Sequence, residues 1–177
     1  MTFEQGETEG RKLLDLCHAI AASWESPLSG IKFGCSKGKV EEYWARFPSH
    51  KPTDAMTGFL CTVVPSDLVD LGVVKLMPYD ELIDYNDESA PLCNFSREIG
   101  FAGFAYWTGN GDGDAWVFDL NDHSICSLPV GTYTETYDEI CEDAYARSPD
   151  FLSWRTFLVE EAVKREWLGP DAGKALL

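Results

Sequence analysis

The chain has few basic residues for its size and an excess of acidic ones. It contains 14 Lys and Arg against 30 Asp and Glu, which gives a formal net charge of −16 at pH 7. A surface this acidic repels the phosphates of nucleic acids and of anionic lipids, so we expect neither as a partner. A basic protein, a cationic ligand and solubility alone remain as reasons for the charge.

Segments that direct a chain to a membrane are missing as well. The first ten residues are acidic and lack the basic and apolar regions of a signal peptide, and no apolar run is long enough to span a bilayer. We therefore expect a cytoplasmic protein. Its six cysteines form no C-x-x-C pair, and we interpret them as reduced thiols that serve as small core residues. Their even number also fits disulfides in an exported chain, but no export signal supports this.

The sequence shows none of the common signatures of catalysis. It has no P-loop, no G-x-S-x-G elbow, no H-E-x-x-H and no dinucleotide fingerprint. The three histidines, His18, His50 and His123, fall in a predicted helix, a predicted loop and a predicted turn. We expect no enzyme, no cofactor and no metal. A hydrolase or ligand-binding enzyme whose site forms only in the fold is the alternative.

One segment invites a calcium interpretation. Oxygen-bearing side chains alternate from Asn110 to Asp114, as at the start of an EF-hand loop. The sixth position of that loop needs Gly and the twelfth needs Glu, but Ala115 and Asn121 stand there. We interpret the aspartates as residues that satisfy turn amides.

The clearest pattern in the chain lies between residues 99 and 120. Two alternating apolar runs flank a turn of Gly, Asn and Asp, which predicts a β-hairpin in a central sheet. Apolar runs at 58–64, 73–77 and 125–130 predict further strands. Residues 66–71 are predicted as a turn or short helix, and 49–57 and 86–91 as loops.

Helical spacing of apolar residues flanks these strands. It predicts a helix over 8–24, short helices over 39–47 and 79–85, and a long helix that runs to residue 169. Ser148 is the predicted N-cap of this last helix, with Pro149 at its first position. We therefore expect residues 1–177 to form one α+β domain, with a central antiparallel or mixed sheet packed by N- and C-terminal helices.

The order of these motifs resembles the SUKH superfamily. A strand and short helix at 73–82 precede an Ile-Gly-Phe-Ala strand at 99–102, a Gly-Asp turn enters an aromatic strand at 113–120, and a late aromatic helix follows at 151–158. The resemblance covers somewhat under half of the chain. The superfamily joins fungal regulators of cell-wall synthesis of the Smi/Knr type to bacterial immunity proteins against secreted toxins.

The resemblance implies a non-catalytic module that binds and neutralises a toxin domain, with a regulatory adaptor for another partner as an alternative. Toxin nucleases present basic clefts, and complementary charge accelerates encounter with them. Acidic residues in three clusters are therefore the candidate binding residues: Asp84, Asp87, Glu88, Asp112, Asp114, Glu135, Asp138, Glu139, Glu142 and Asp143. Tyr106 and Trp107 join them, because adjacent bulky residues on a strand point to opposite faces of the sheet. The second of these faces is either covered by the terminal helices or exposed as a patch for recognition.

Overall fold

The computed structural model describes residues 1–86, 98–108, 114–129 and 136–177, and of Asp143 the backbone alone. These residues contain seven helices: α1 (Phe3–Ser23), α2 (Lys37–Trp44), α3 (Asp54–Val63), α4 (Tyr79–Tyr85), α5 (Tyr137–Asp143), α6 (Phe151–Lys164) and α7 (Pro170–Leu176). They also contain six strands: β1 (Val69–Asp70), β2 (Lys75–Leu76), β3 (Phe101–Trp107), β4 (Asp114–Asp119), β5 (Ile125–Leu128) and β6 (Ala146–Ser148).

The six strands form one antiparallel sheet in which each strand pairs with its neighbours in sequence. The predicted central hairpin is present as β3 and β4, paired from Phe101 opposite Asp119 to Trp107 opposite Asp114. A bulge between Gly103 and Ala105 shifts the register. The predicted α+β architecture with N- and C-terminal helices is confirmed.

The first face of the sheet carries the aromatic core. Trp116 and Phe118 of β4 point to this face, where Phe59 of α3 and Trp154 of α6 cover them. Phe104 of β3 stacks on Phe118, with ring centroids 4.2 Å apart. The aromatic core therefore lies between the sheet and the layer of α3 and α6.

The second face of the sheet carries the alternate residues of the same strands. Residues paired across two strands share a face. Asp119 is paired with Phe101, Val117 with Gly103 and Ala115 with Tyr106. Because these β4 residues alternate with Trp116 and Phe118, they lie on the side away from the aromatic core.

Two glycines allow α1 and α3 to cross closely. A Cβ on Gly6 would overlap the carbonyl oxygen of Ala55, and a Cβ on Gly58 would overlap that of Phe3. Each helix thus presents a glycine to the backbone of the other. The terminal helix α1 is held against the domain by this crossing.

The apolar segment at 58–64 is not a strand, contrary to the prediction, because it belongs to α3. Thr53 caps this helix, since its side chain accepts a hydrogen bond from the Met56 amide. The α3 residues from Ala55 to Leu60 are all buried, so the helix shows a continuous apolar run of the kind that also marks a buried strand.

Other boundaries differ from the prediction. The N-cap of α6 is Asp150, which accepts from the Ser153 amide at 2.7 Å, whereas Ser148 ends β6. The strand β1 lies within the predicted turn or short helix at 66–71, and α7 begins at Pro170, where the last helix was predicted to end. The predicted loop at 86–91 and the hairpin turn lie, apart from their ends, outside the described residues.

The five described cysteines are free thiols. Burial raises the pKa of Cys17 to about 12 and, less strongly, that of Cys126 to about 11. Both are packed in the core as small apolar residues. In the described part of the chain, every helix is too short or too polar to cross a bilayer.

Candidate functional site

Two short helices contact the second face of the sheet through tyrosines. Tyr85 of α4 lies against Tyr106, with ring centroids 4.1 Å apart. Tyr137 of α5 stacks on Phe101, with centroids 5.5 Å apart and planes inclined by 11°. Since Tyr106 and Phe101 lie near the two ends of β3 on one face, α4 and α5 flank that face. We call the outward residues of these two helices the acidic helix pair.

The two helices have related sequences and related burial. Each is seven residues long and opens with Tyr-Asp-Glu. Leu82 of α4 and Ile140 of α5 point into the core. Six of the other positions expose carboxylates, which form the acidic helix pair: Asp80, Glu81, Asp84, Asp138, Glu139 and Glu142.

The acidic helix pair makes no ion pair with any described Lys, Arg or His. Glu139 is used locally, because it forms a capping box with Thr136 at the start of α5. Hydrogen bonds from the Thr136 amide and hydroxyl lower the pKa of Glu139. Glu139 therefore stays charged at neutral pH.

The side chain of Asn86, at the end of α4, fixes this helix to the sheet edge. Its amide nitrogen donates to the carbonyl oxygens of Gly103 at 2.8 Å and of Leu82 at 2.9 Å. Its amide oxygen accepts from the Gly103 N–H at 2.9 Å. Asn86 is fully buried, so these bonds satisfy backbone groups that water cannot reach.

A buried carboxylate fixes α5. The Asp119 side chain accepts from the Tyr137 hydroxyl at 2.6 Å and from the Arg147 guanidinium at 2.8 Å. Arg147 also donates to Asp122 at 2.6 Å. Partial burial opposes ionisation of Asp122, but the hydrogen bonds from Arg147 and Ser124 outweigh it and lower its pKa. This network ties α5 to β4 and β6.

A groove lies between α4 and the strands β2 and β3. It has a volume of about 410 Å³ and is lined by Lys75, Met77, Glu81, Asp84, Tyr85, Tyr106 and Thr108. Two tyrosine rings and two carboxylates thus face one cavity. Aromatic faces and carboxylates together attract a cationic group.

In the structure the predicted binding residues fall into three groups: accessible residues, buried residues and residues outside the described part of the chain. Asp84, Asp138, Glu139 and Glu142 are exposed on the acidic helix pair, and Tyr106 is half-buried in the groove. Trp107 and Asp114 are buried: the first stacks on Trp116, and the second accepts a hydrogen bond from Ser127 at 2.8 Å. Outside the described part of the chain lie Asp87, Glu88, Asp112, Glu135 and the side chain of Asp143.

Burial removes Trp107 and Asp114 from the candidate surface. Trp107 pairs with Asp114 across the hairpin, and the bulge in β3 places its ring on the first face with Trp116. Of the two adjacent rings in β3, only Tyr106 reaches the second face. The sequence left this choice open, because a bulge that changes which residues share a face has no clear signature in composition.

Of the seven residues that line the groove, only Asp84 and Tyr106 were singled out from the sequence. Glu81 lies three positions before Asp84 and therefore on the same side of α4, a spacing that was available as a signal. The approach of Tyr85 and Lys75 to Tyr106 depends on the packing of α4 against the sheet. No local sequence pattern predicts that packing.

None of the three histidines lines the groove. His18 of α1 packs edge-on against Phe33, and His50 lies beside Gly100. Within the residues described, no three His, Cys, Asp or Glu side chains are grouped so as to hold a metal ion.

Comparisons with protein-family models, with curated proteins and with solved structures found no match to this chain. The assignment of a function therefore depends on the geometry of the second face and on the sequence motifs.

Proposed function

We propose that this protein is a non-catalytic interaction module that binds a basic protein through its acidic helix pair. The observation that carries the proposal is that two separate acidic helices flank the same sheet face and expose carboxylates without a described counter-ion. The biological role that we propose is immunity against a toxin domain, as the resemblance to the SUKH superfamily implies.

The distribution of cations supports this proposal. Six basic side chains pair with acids that are not part of the acidic helix pair: Lys12, Lys37, Arg147, Arg155, Lys164 and Arg165. Among the described residues, none of these ion pairs uses a carboxylate of the acidic helix pair, which leaves those carboxylates available to an external cation. Charge of one sign on one face steers an oppositely charged partner and disfavours wrong ones.

The way the helices are held also favours binding. Asn86 ties α4 to Gly103, and Asp119 ties α5 to β4 and β6 through Tyr137 and Arg147. Helices that are already ordered lose little conformational entropy on association. The carboxylates are therefore displayed on a pre-organised support.

The test compares two variants with equal loss of charge. The first neutralises the acidic helix pair: Glu81→Gln, Asp84→Asn, Asp138→Asn and Glu142→Gln. The second neutralises exposed acids on α1, α2, α6 and α7: Asp15→Asn, Glu41→Gln, Glu160→Gln and Asp171→Asn. Each variant and the wild type are immobilised and exposed to extract of the native source at about 0.05 M and about 0.5 M salt, which brackets strong and weak screening.

We expect the wild type and the second variant to retain a basic protein at low salt, and the first variant to lose it. The retained protein is identified by mass spectrometry, purified and titrated against all three chains. A toxin enzyme domain whose activity the wild type abolishes supports immunity, whereas a basic protein without toxin activity supports the adaptor role. The proposal is overturned if all three chains retain the same protein, or if no chain retains a basic protein.

A further inference from the structure

The groove beside α4 has the composition of a pocket for one cationic side chain. Glu81 and Asp84 form its α4 wall, Lys75 and Tyr106 its strand wall, and Tyr85 lies between them. The Tyr106 ring is half-buried, with its hydroxyl close to that of Tyr85. The groove therefore combines a flat aromatic surface with two carboxylates.

The Tyr85 hydroxyl is an unsatisfied polar group in this groove. Tyr85 is 4% exposed, and its hydroxyl makes no hydrogen bond with the described residues. Burial, and then the neighbouring Tyr106 hydroxyl, raise the pKa of Tyr85 well above its ordinary value. A buried hydroxyl without a partner is costly in the free protein, and a ligand that supplies one recovers that cost.

A cation already lies at this ring in the free protein. The ammonium of Lys75 is 5.8 Å from the centroid of the Tyr106 ring, at the outer limit of a cation–π contact. It is not within ion-pair distance of any described carboxylate. Lys75 therefore makes only a weak interaction, which a better-placed cation can replace.

We propose that this groove receives an arginine side chain of the basic partner, so that the inference rests on the function proposed above. The guanidinium stacks on Tyr106, donates to the carboxylates of Glu81 and Asp84, and donates to the Tyr85 hydroxyl. Its planar fork of five N–H donors satisfies several acceptors at once, which the single ammonium of lysine does not. Lys75 moves aside toward solvent.

The test uses a small probe in place of the partner. Wild-type protein labelled with ¹⁵N is titrated with N-acetyl-arginine amide, N-acetyl-lysine amide and N-acetyl-norleucine amide, and backbone amide shifts are followed by NMR. We expect saturable shifts at Lys75, Glu81, Tyr106 and Thr108 with the arginine probe. The lysine probe binds about threefold to tenfold more weakly because it makes fewer charge-assisted hydrogen bonds, and the norleucine probe does not bind.

Tyr85→Phe separates recognition from structure. This variant removes only an unsatisfied hydroxyl, so it keeps or raises the stability of the fold while it weakens arginine binding about threefold to tenfold, in line with one lost hydrogen bond. Glu81→Gln with Asp84→Asn abolishes saturable binding. The matched control, Glu160→Gln with Asp171→Asn on α6 and α7, removes the same charge and leaves binding of the arginine probe unchanged.

Equal shifts with arginine and norleucine, equal affinity for arginine and lysine, or unchanged binding by Tyr85→Phe each overturn the arginine assignment. Failure of the probe to bind also does so, but it leaves the proposed function standing if neutralising the acidic helix pair still abolishes capture of the basic protein. If that capture fails while the probe binds at the groove, the proposed function falls and a cation-binding groove remains.

Discussion

Asn86 pairs with both backbone groups of Gly103, in the way a neighbouring strand would. Its amide oxygen lies 2.9 Å from the Gly103 nitrogen, and its amide nitrogen lies 2.8 Å from the Gly103 oxygen. The two-residue strand β2 pairs only with Tyr106 and Ala105 of β3. The Asn86 side chain thus continues the pairing at the bulge, where β2 has ended.

Replacement of Asn86 tests this pairing. Asn86→Ala leaves the Gly103 N–H without its partner, and we expect a loss of about 2 kcal/mol in the free energy of unfolding. Asn86→Asp places a buried carboxylate against the carbonyl oxygens of Gly103 and Leu82, and we expect a larger loss at pH 7. Urea unfolding of both variants measures which of them loses more stability. An Asn86→Asp protein that is as stable as the wild type contradicts the pairing of Asn86 with Gly103.

Arg147 compensates the charge of Asp119. The Asp119 side chain is fully buried, whereas that of Arg147 is 32% exposed. Arg147→Met leaves the carboxylate without its cation, and we expect a loss of about 3 to 5 kcal/mol. Addition of Asp119→Asn to this variant restores part of the loss. A double-mutant cycle by chemical unfolding measures the coupling, and simple additivity of the two changes argues against the pairing.

Replacing a helical glycine with alanine has opposite effects on stability at the crossing of α1 and α3 and at Gly38. Gly6→Ala or Gly58→Ala forces the backbones of α1 and α3 apart, and we expect a loss of about 3 kcal/mol or more. Gly38 in α2 has open space around it, so Gly38→Ala stabilises the protein by up to about 1 kcal/mol through helix propensity. Thermal unfolding compares the three variants. If all three shift stability in the same direction, the close crossing of α1 and α3 is incorrect.

Asp150 contributes to stability in a pH-dependent way. A hydrogen bond from the Ser153 amide is the main cause of the lowered pKa of Asp150 in the folded protein. Its contribution is therefore present above the unfolded-state pKa of about 3.9 and is lost as the pH falls through the lower folded-state value. Asp150→Asn keeps a capping side chain but does not titrate. Between about pH 5 and about pH 2 we therefore expect this variant to lose less stability than the wild type.

Asp150→Ala serves as the companion variant, because it removes the cap as well as the charge. We expect it to lose about 1 kcal/mol at pH 7 and to show the same shallow acid dependence. Urea unfolding at several pH values measures both. An acid dependence in Asp150→Asn as steep as that of the wild type shows that Asp150 does not contribute.

The sequence predicts the central hairpin and α4 well, because alternation and turn residues mark the first and apolar spacing marks the second. It fails at 58–64, where a fully buried helix and a buried strand share the same apolar run, although Thr53 and Asp54 offered a capping signal. It also misplaces the start of α6, since Ser148 and Asp150 are both good N-caps and only the pairing of β6 chooses between them.

The candidate site is harder to predict than the fold. Asp84 and Asp138 are far apart in the chain, and only the order of the strands brings their helices to one face. The repeated Tyr-Asp-Glu at 79–81 and 137–139 was visible in the sequence but gave no indication of a shared location. The burial of Trp107 follows from a single bulge in β3.

The helices α4 and α5 lie in the connections between paired strands, β2 to β3 and β5 to β6. Their inward residues hold the domain together, while their outward carboxylates make few contacts that folding needs. Under the proposed function, point changes at those outward positions therefore alter recognition at little risk to folding. A lineage that carries this domain can follow a changing partner by substitution in two seven-residue segments, while the sheet and its aromatic core stay the same.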